Sequence, residues 1–178
     1  MVTMSSINSS DMVAVASRSF SMDPFLKGEL LKKYANVRFN DTGETLKDEK
    51  LVHFLNGATK AIVALEPVNH NILKQLPDLK LISKYGVGLD NIDFKSLQNN
   101  QVQLAWKGGV NRRSVAELAL HFILGCVRGS FTSHHEVQNN KWAQFKGQNL
   151  SGKTVGLLGL GYVGKELAPM LKPLNVKI

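Results

Sequence analysis

Cysteine is almost missing from this chain: Cys126 is the single one among 178 residues. One thiol excludes an internal disulfide framework and any zinc site built on paired cysteines, and it fits a reducing compartment. Long apolar runs are missing too. The longest, residues 115–127, is interrupted by Glu117, His121 and Gly125 and is too short to span a bilayer. The first twenty residues carry no basic opening before their short apolar run, which argues against a secretory signal. These absences predict a soluble, cytoplasmic protein with no membrane partner. What is present, 43% apolar and 20% charged residues, is the composition of an ordinary globular chain. Its length suits one domain or two small ones.

Acidic residues are also few, 14 against 22 Lys and Arg, giving a formal charge of +8. A basic balance invites a nucleic-acid reading. The excess, however, is scattered. Residues 1–110 carry 13 basic and 11 acidic groups, and residues 111–178 carry 9 and 3. No run of three basic residues occurs, and only Trp142 and Phe145 lie among the later ones as stacking platforms. No nucleic-acid partner is expected.

The apolar pattern alternates strand with helix. Met12–Ala16, Val37–Phe39, Ala61–Leu65, Leu79–Tyr85 and Val102–Ala105 read as strands, several of them continuously apolar as in a buried parallel sheet. Between them, Pro24 opens a helix with Phe25, Leu26, Leu30 and Leu31 on one face. Leu46–Leu55 forms a second helix, and Asn71–Leu76 a helical turn ended by Pro77. Alternation of this kind predicts an α/β fold with right-handed crossovers. Ser114, followed by Glu117, predicts a capping box that opens a helix running to about Arg128. Residues 129–150 read as a connector with one short helix. Thr154–Leu158 then predicts a strand, Tyr162–Leu171 a helix, and Asn175–Ile178 the start of one more strand. Pro169 inside that helix removes a hydrogen bond and predicts a kink.

The Thr154–Leu158 segment is followed by Gly159-Leu160-Gly161-Tyr162-Val163-Gly164. The first glycine permits a tight turn. The second lets the backbone approach a pyrophosphate, and the third lets helix pack on strand. The helix N-terminus adds free N–H groups and a partial positive charge. Strand, loop and helix together predict dinucleotide binding. The acidic residue that would grip the ribose belongs a few positions past Ile178, so NAD versus NADP stays open. The other glycine pair, Gly86 and Gly88, follows the strand ending at Tyr85 and suits main-chain donors approaching a carboxylate. A plain strand-end turn, with Asp90 and Asn91 capping the next helix, is the alternative. His53, His70, His121 and the adjacent His134 and His135 lack metal-ligand spacing, and no metal site is expected.

Three blocks taken together, residues 79–93 (LKLISKYGVGLDNID), 108–118 (GGVNRRSVAEL) and 150–164 (LSGKTVGLLGLGYVG), resemble the D-isomer-specific 2-hydroxyacid dehydrogenases, nearest the phosphoglycerate dehydrogenase branch. The resemblance implies a flavodoxin-like substrate domain over residues 1–110. Residues 111–178 would be the truncated start of a Rossmann NAD-binding domain. The active site would lie in the cleft between the domains, and the helix 114–128 would be buried between them. It implies NAD as cofactor, a small 2-hydroxy or 2-keto acid as substrate, and a homodimer. Gly86, Val87 and Gly88 would hold the substrate carboxylate. Val87, Gly159, Gly161, Tyr162, Val163 and Gly164 would meet the cofactor.

The family's catalytic Arg, Glu and His would all fall after Ile178. This chain is therefore expected to be an N-terminal part that holds no catalytic residue and is inactive alone. Where phosphoglycerate enzymes commonly carry an Arg, this chain has Val63-Ala64-Leu65-Glu66-Pro67. A carboxylate there repels a phosphate, which argues against phosphoglycerate, with Lys84 the nearby cation. A different class of function, a non-catalytic dehydrogenase-like module for dimerisation or regulation, fits the same residues.

Overall fold

The computed structural model describes residues 8–178, which fall into two compact units, the first ending in sequence at Gly108 and the second beginning at Gly109. In the first unit, five strands form one sheet: β1 (Asn8–Val15), β2 (Tyr34–Phe39), β3 (Lys60–Val63), β4 (Leu81–Lys84) and β5 (Gln103–Ala105). Their order is β2-β1-β3-β4-β5 and every pairing is parallel. This is the flavodoxin-like arrangement, in which ligands sit beyond the carboxyl ends of the strands.

Five helices accompany the sheet: α1 (Arg18–Ser21), α2 (Pro24–Leu31), α3 (Asp48–Leu55), α4 (His70–Leu73) and α5 (Phe94–Asn99). Asp23 caps α2, its carboxylate accepting from the Leu26 N–H at 3.0 Å, with Pro24 supplying the first helical residue. Ala14, Ala61, Val63 and Ile82 pack with Leu51, Leu55, Leu73 and Leu97 in one buried cluster. Burying each of the Val, Ile and Leu side chains stabilises by roughly 1.5–3 kcal/mol, which makes this cluster the main source of the unit's stability. The expected apolar face of α2 is not core: Phe25 and Leu31 stay exposed, and no residue of α2 is buried. Its spacing marked the helix without marking a buried surface.

The second unit contains α6 (Arg112–Arg128), α7 (Ser130–Gln138), α8 (Tyr162–Leu171) and a 3-10 turn, Lys172–Leu174. Its core joins Ala116 of α6 to Leu167 and Leu171 of α8, with Leu150 beside them. No single helix among the described residues is long and apolar enough to cross a membrane.

Three expectations are corrected here. The helix expected to open at Ser114 starts two residues earlier, because the Arg112 and Val115 N–H groups already donate to the Gly109 and Asn111 carbonyls at 3.1 Å. Asn111 is the cap residue and makes no side-chain cap bond. Glu117 does not reach back to a cap; its carboxylate accepts from Arg113 Nε at 2.6 Å, an i,i+4 pair. Nor is α6 buried on every side. Ala116 and Gly125 are its buried residues, while Leu118 and Phe122 are each half exposed. Finally, Thr154–Leu158 is not a strand. Thr154 forms one isolated parallel bridge with Lys177, and a strand needs a ladder of such pairs. Pro169 does lie within α8, and the helix continues past it to Leu171.

Candidate functional site

At the carboxyl edge of the first unit, the Tyr85 N–H donates to the Val63 carbonyl at 2.7 Å, carrying the pairing of β4 with β3 one residue further. The chain then leaves the sheet. Among the described residues, the N–H groups of Gly86, Val87 and Gly88 have no protein acceptor, and both glycines are exposed. Three consecutive unpaired donors beyond the ends of parallel strands suit an anionic oxygen pair.

The surroundings hold this loop in place. Asn91 Nδ2 donates to the Ala64 carbonyl at 3.1 Å and the Glu66 carbonyl at 2.6 Å, and the Asn91 carbonyl accepts from the Val68 N–H at 2.8 Å. Asn91 thus ties the loop after β4 to the loop after β3. It does not cap α5, and neither does Asp90. That role belongs to Asp93, whose carboxylate accepts from the Lys95 and Ser96 N–H groups at 3.1 and 3.3 Å. Lys84 Nζ donates to the Ala64 carbonyl at 2.6 Å. Burial holds the Lys84 ammonium below the usual lysine range, while Glu66 and Asp90 pull the other way. Glu66 is 1% exposed, and its carboxylate accepts from the Ala64 N–H at 2.7 Å. Glu66 therefore shapes its own turn.

In the second unit, the loop 159–164 has the three glycine roles in its geometry. Gly159 has φ +99°, open to glycine and strained for other residues. Gly161 has nothing within 4 Å of where a side chain would begin. A Cβ on Gly164 would meet the Gly159 carbonyl oxygen at 2.5 Å, so the helix approaches the loop as closely as backbone allows. The first intrahelical bond runs from the Lys165 N–H to the Gly161 carbonyl at 3.0 Å. Among the described residues the N–H groups of Tyr162, Val163 and Gly164 have no acceptor at the positive end of α8. The Tyr162 ring lies against Gly109.

The histidines take no part in either loop's hydrogen bonding. His53, His70 and His121 lie in α3, α4 and α6, and His134 and His135 in α7. The His121 ring packs on Phe131 at 5.5 Å between centroids. Among the described residues no group of three His, Cys, Asp or Glu could hold a metal ion. Two contributors escaped the sequence reading. Asn91 lies within residues 79–93, and the sequence offers it a role, as a helix cap, only in the alternative strand-end turn. Trp106, whose indole Nε1 donates to the Val87 carbonyl at 3.2 Å, gave no signal beyond its place at a strand end.

Comparison with known proteins shows the family of the chain. Residues 13–160 match the D-isomer specific 2-hydroxyacid dehydrogenase catalytic domain. Hydroxypyruvate reductase of Thermotoga maritima is 31% identical over 140 residues, which are 77% of this chain and 46% of that relative. Among solved structures, a Polaromonas sp. JS6 66 protein assigned as an NAD-binding D-isomer specific 2-hydroxyacid dehydrogenase is similar, with TM-score 0.83 and 21% identity. The alignment covers 93% of this chain and 53% of that one. The NAD+-bound 3-phosphoglycerate dehydrogenase of Entamoeba histolytica is similar with TM-score 0.71 and 24% identity, covering 94% of this chain and 52% of that one. With its parallel α/β fold and a family match over most of its length, the chain belongs to the D-isomer specific 2-hydroxyacid dehydrogenases. It spans about half the length of the curated relatives it matches first.

Proposed function

We propose that this chain supplies the acid-binding half and the pyrophosphate loop of an NAD-dependent oxidoreductase acting on the CH–OH group of a D-2-hydroxy acid. Residues 1–110 serve as the substrate domain, and residues 111–178 open the cofactor domain. The observation that carries this reading is the pair of unsatisfied donor sets in one chain: the N–H groups of Gly86, Val87 and Gly88, and those of Tyr162, Val163 and Gly164.

The first set binds and orients the carboxylate of a small 2-hydroxy or 2-keto acid. The second set, with Gly159 and Gly161 leaving the approach open, holds the cofactor's pyrophosphate against the N-terminus of α8. When bound, NAD supplies the hydride acceptor or donor. We read this edge as suited to acids without a phosphate, since the segment Val63-Ala64-Leu65-Glu66-Pro67 holds no cation to pair with one.

The test is titration of NAD and ADP against the wild-type chain and Gly161→Val. Nothing stands within 4 Å of the Gly161 Cβ position, so the valine leaves the fold undisturbed while filling the space the pyrophosphate needs. Loss of binding in Gly161→Val supports the reading. Equal binding by the two chains overturns the cofactor assignment.

A second reading is favoured by the half-exposed Leu118 and Phe122 of α6: a dehydrogenase-like module kept for self-association, in which these side chains meet a second copy. Sedimentation of wild type beside Leu118→Lys separates the two. A stable dimer lost in the variant, without NAD or ADP binding, selects this second reading.

A further inference from the structure

The loop Gly86-Val87-Gly88 has two glycines in three residues, and fixing such a segment costs more backbone entropy than fixing any other. Among the described residues one hydrogen bond reaches it, and that bond comes from a side chain. Trp106 follows directly on β5, whose register with β4 pairs Leu81 with Gln103, Ile82 with Leu104 and Ser83 with Ala105. Trp106 is the first residue past the last of these pairs, as Lys84 is on β4, where the loop begins. From there the indole Nε1–H donates to the Val87 carbonyl at 3.2 Å.

The Val87 carbonyl belongs to the same peptide group as the Gly88 N–H. No cis peptide bond occurs among the described residues, so this peptide group is trans and planar. The carbonyl and the N–H of a trans peptide point in opposite directions, and a bond that holds one aims the other. Among the described residues the Gly88 N–H has no acceptor.

We propose that Trp106 is a positioning residue of the acid site: by holding the Val87 carbonyl, its indole N–H fixes the Gly88 N–H in the direction of the substrate carboxylate. This rests on the reading of Gly86–Gly88 as the acid cradle and adds a residue to it. Trp106 is 43% exposed, so its bond to Val87 is open to exchange with water when the loop turns over. Preorganisation of this kind is read in affinity, because a donor already aimed loses less freedom when the anion arrives.

The experiment is an amide NMR titration of the full 178-residue chain with pyruvate as the probe acid. The wild type is compared with Trp106→Phe and with a chain carrying 3-benzothienylalanine at position 106. The benzothiophene keeps the size and shape of indole and lacks the N–H, so it separates the hydrogen bond from the packing. In wild type the Val87 and Gly88 amide signals move with pyruvate. Both variants are expected to bind about fivefold more weakly, the worth of one ordinary hydrogen bond, with a smaller displacement of the Gly88 signal at saturation. Unchanged affinity and an unchanged Gly88 displacement in the benzothienylalanine chain overturn the role of Trp106 and leave the acid site standing. Signals of Val87 and Gly88 that stay still in wild type overturn the acid site itself, and this proposal with it.

Discussion

The carbonyl oxygen of Gly159 lies 2.5 Å from where a Cβ on Gly164 would stand, whereas a Cβ on Gly161 meets nothing within 4 Å. Two glycines of one loop therefore do different things. One is required by the protein's own packing, and the other leaves room that the protein does not use.

Gly164→Ala must push helix α8 away from its loop. Overpacking of this kind typically costs about 1–3 kcal/mol. Gly161→Ala should cost far less, since its φ of −79° suits any residue and the space is open. Urea unfolding of both chains checks this, and equal midpoints for the two variants would contradict it.

A second close approach ties Gly109 to Tyr162. A Cβ on Gly109 would stand 2.5 Å from Tyr162 Cδ1, and Gly109 has φ +67°. Gly109→Ala pays about 1–2 kcal/mol for the left-handed conformation and a further cost for displacing the ring. In Gly109→Ala with Tyr162→Ala the ring cost disappears and the conformational cost remains. The double mutant is thus expected to be less destabilised than the two single variants sum to. Strict additivity in a double-mutant cycle would rule the contact unimportant.

Amide exchange should divide the chain unevenly. Ala61 and Ile62 sit on β3, paired on both sides by β1 and β4. The N–H groups of Gly156, Leu157 and Leu158 have no acceptor among the described residues, and Leu158 is fully exposed. Slow exchange in β3 and fast exchange at residues 156–158 are expected in the 178-residue chain. Protection at 156–158 matching that of β3 would contradict this.

Asp93 gives a pH signature. Hydrogen bonds from the Ser96 hydroxyl and the Ser96 N–H hold its carboxyl below the ordinary value of 3.8. The folded state thus binds this proton more weakly than the unfolded one. Its contribution to stability is present above 3.8 and is lost as pH falls through the lower, folded value. Asp93→Ala should be less stable than wild type at neutral pH, with the gap closing in strong acid. Asp93→Asn keeps a cap acceptor and should show a pH-independent difference from Asp93→Ala. Thermal melting from pH 7 to pH 2 measures both, and a gap that persists unchanged at pH 2 would exclude the carboxylate as its source.

Much of this protein is written in local pattern. The apolar runs of β1, β3 and β4, the Pro24 start of α2 and the span Tyr162–Leu171 of α8 follow from propensity, capping and periodicity, which act within a few residues. The glycine loop is legible for the same reason, because each of its three glycines answers a demand of the turn itself. Residues brought from elsewhere in the chain were not legible. Asn91 looks like a cap residue until the loop after β3 is seen beside it, and Trp106 becomes a partner of Val87 only once β5 is laid against β4. Thr154–Leu158 shows the limit from the other side. Its residues have strand character, but a strand is a relation between segments, and the tertiary structure gives this one a single bridge to Lys177. Local chemistry sets what a segment prefers; the ladder and the long-range hydrogen bonds decide what it becomes, since each needs a partner that neighbouring sequence does not name.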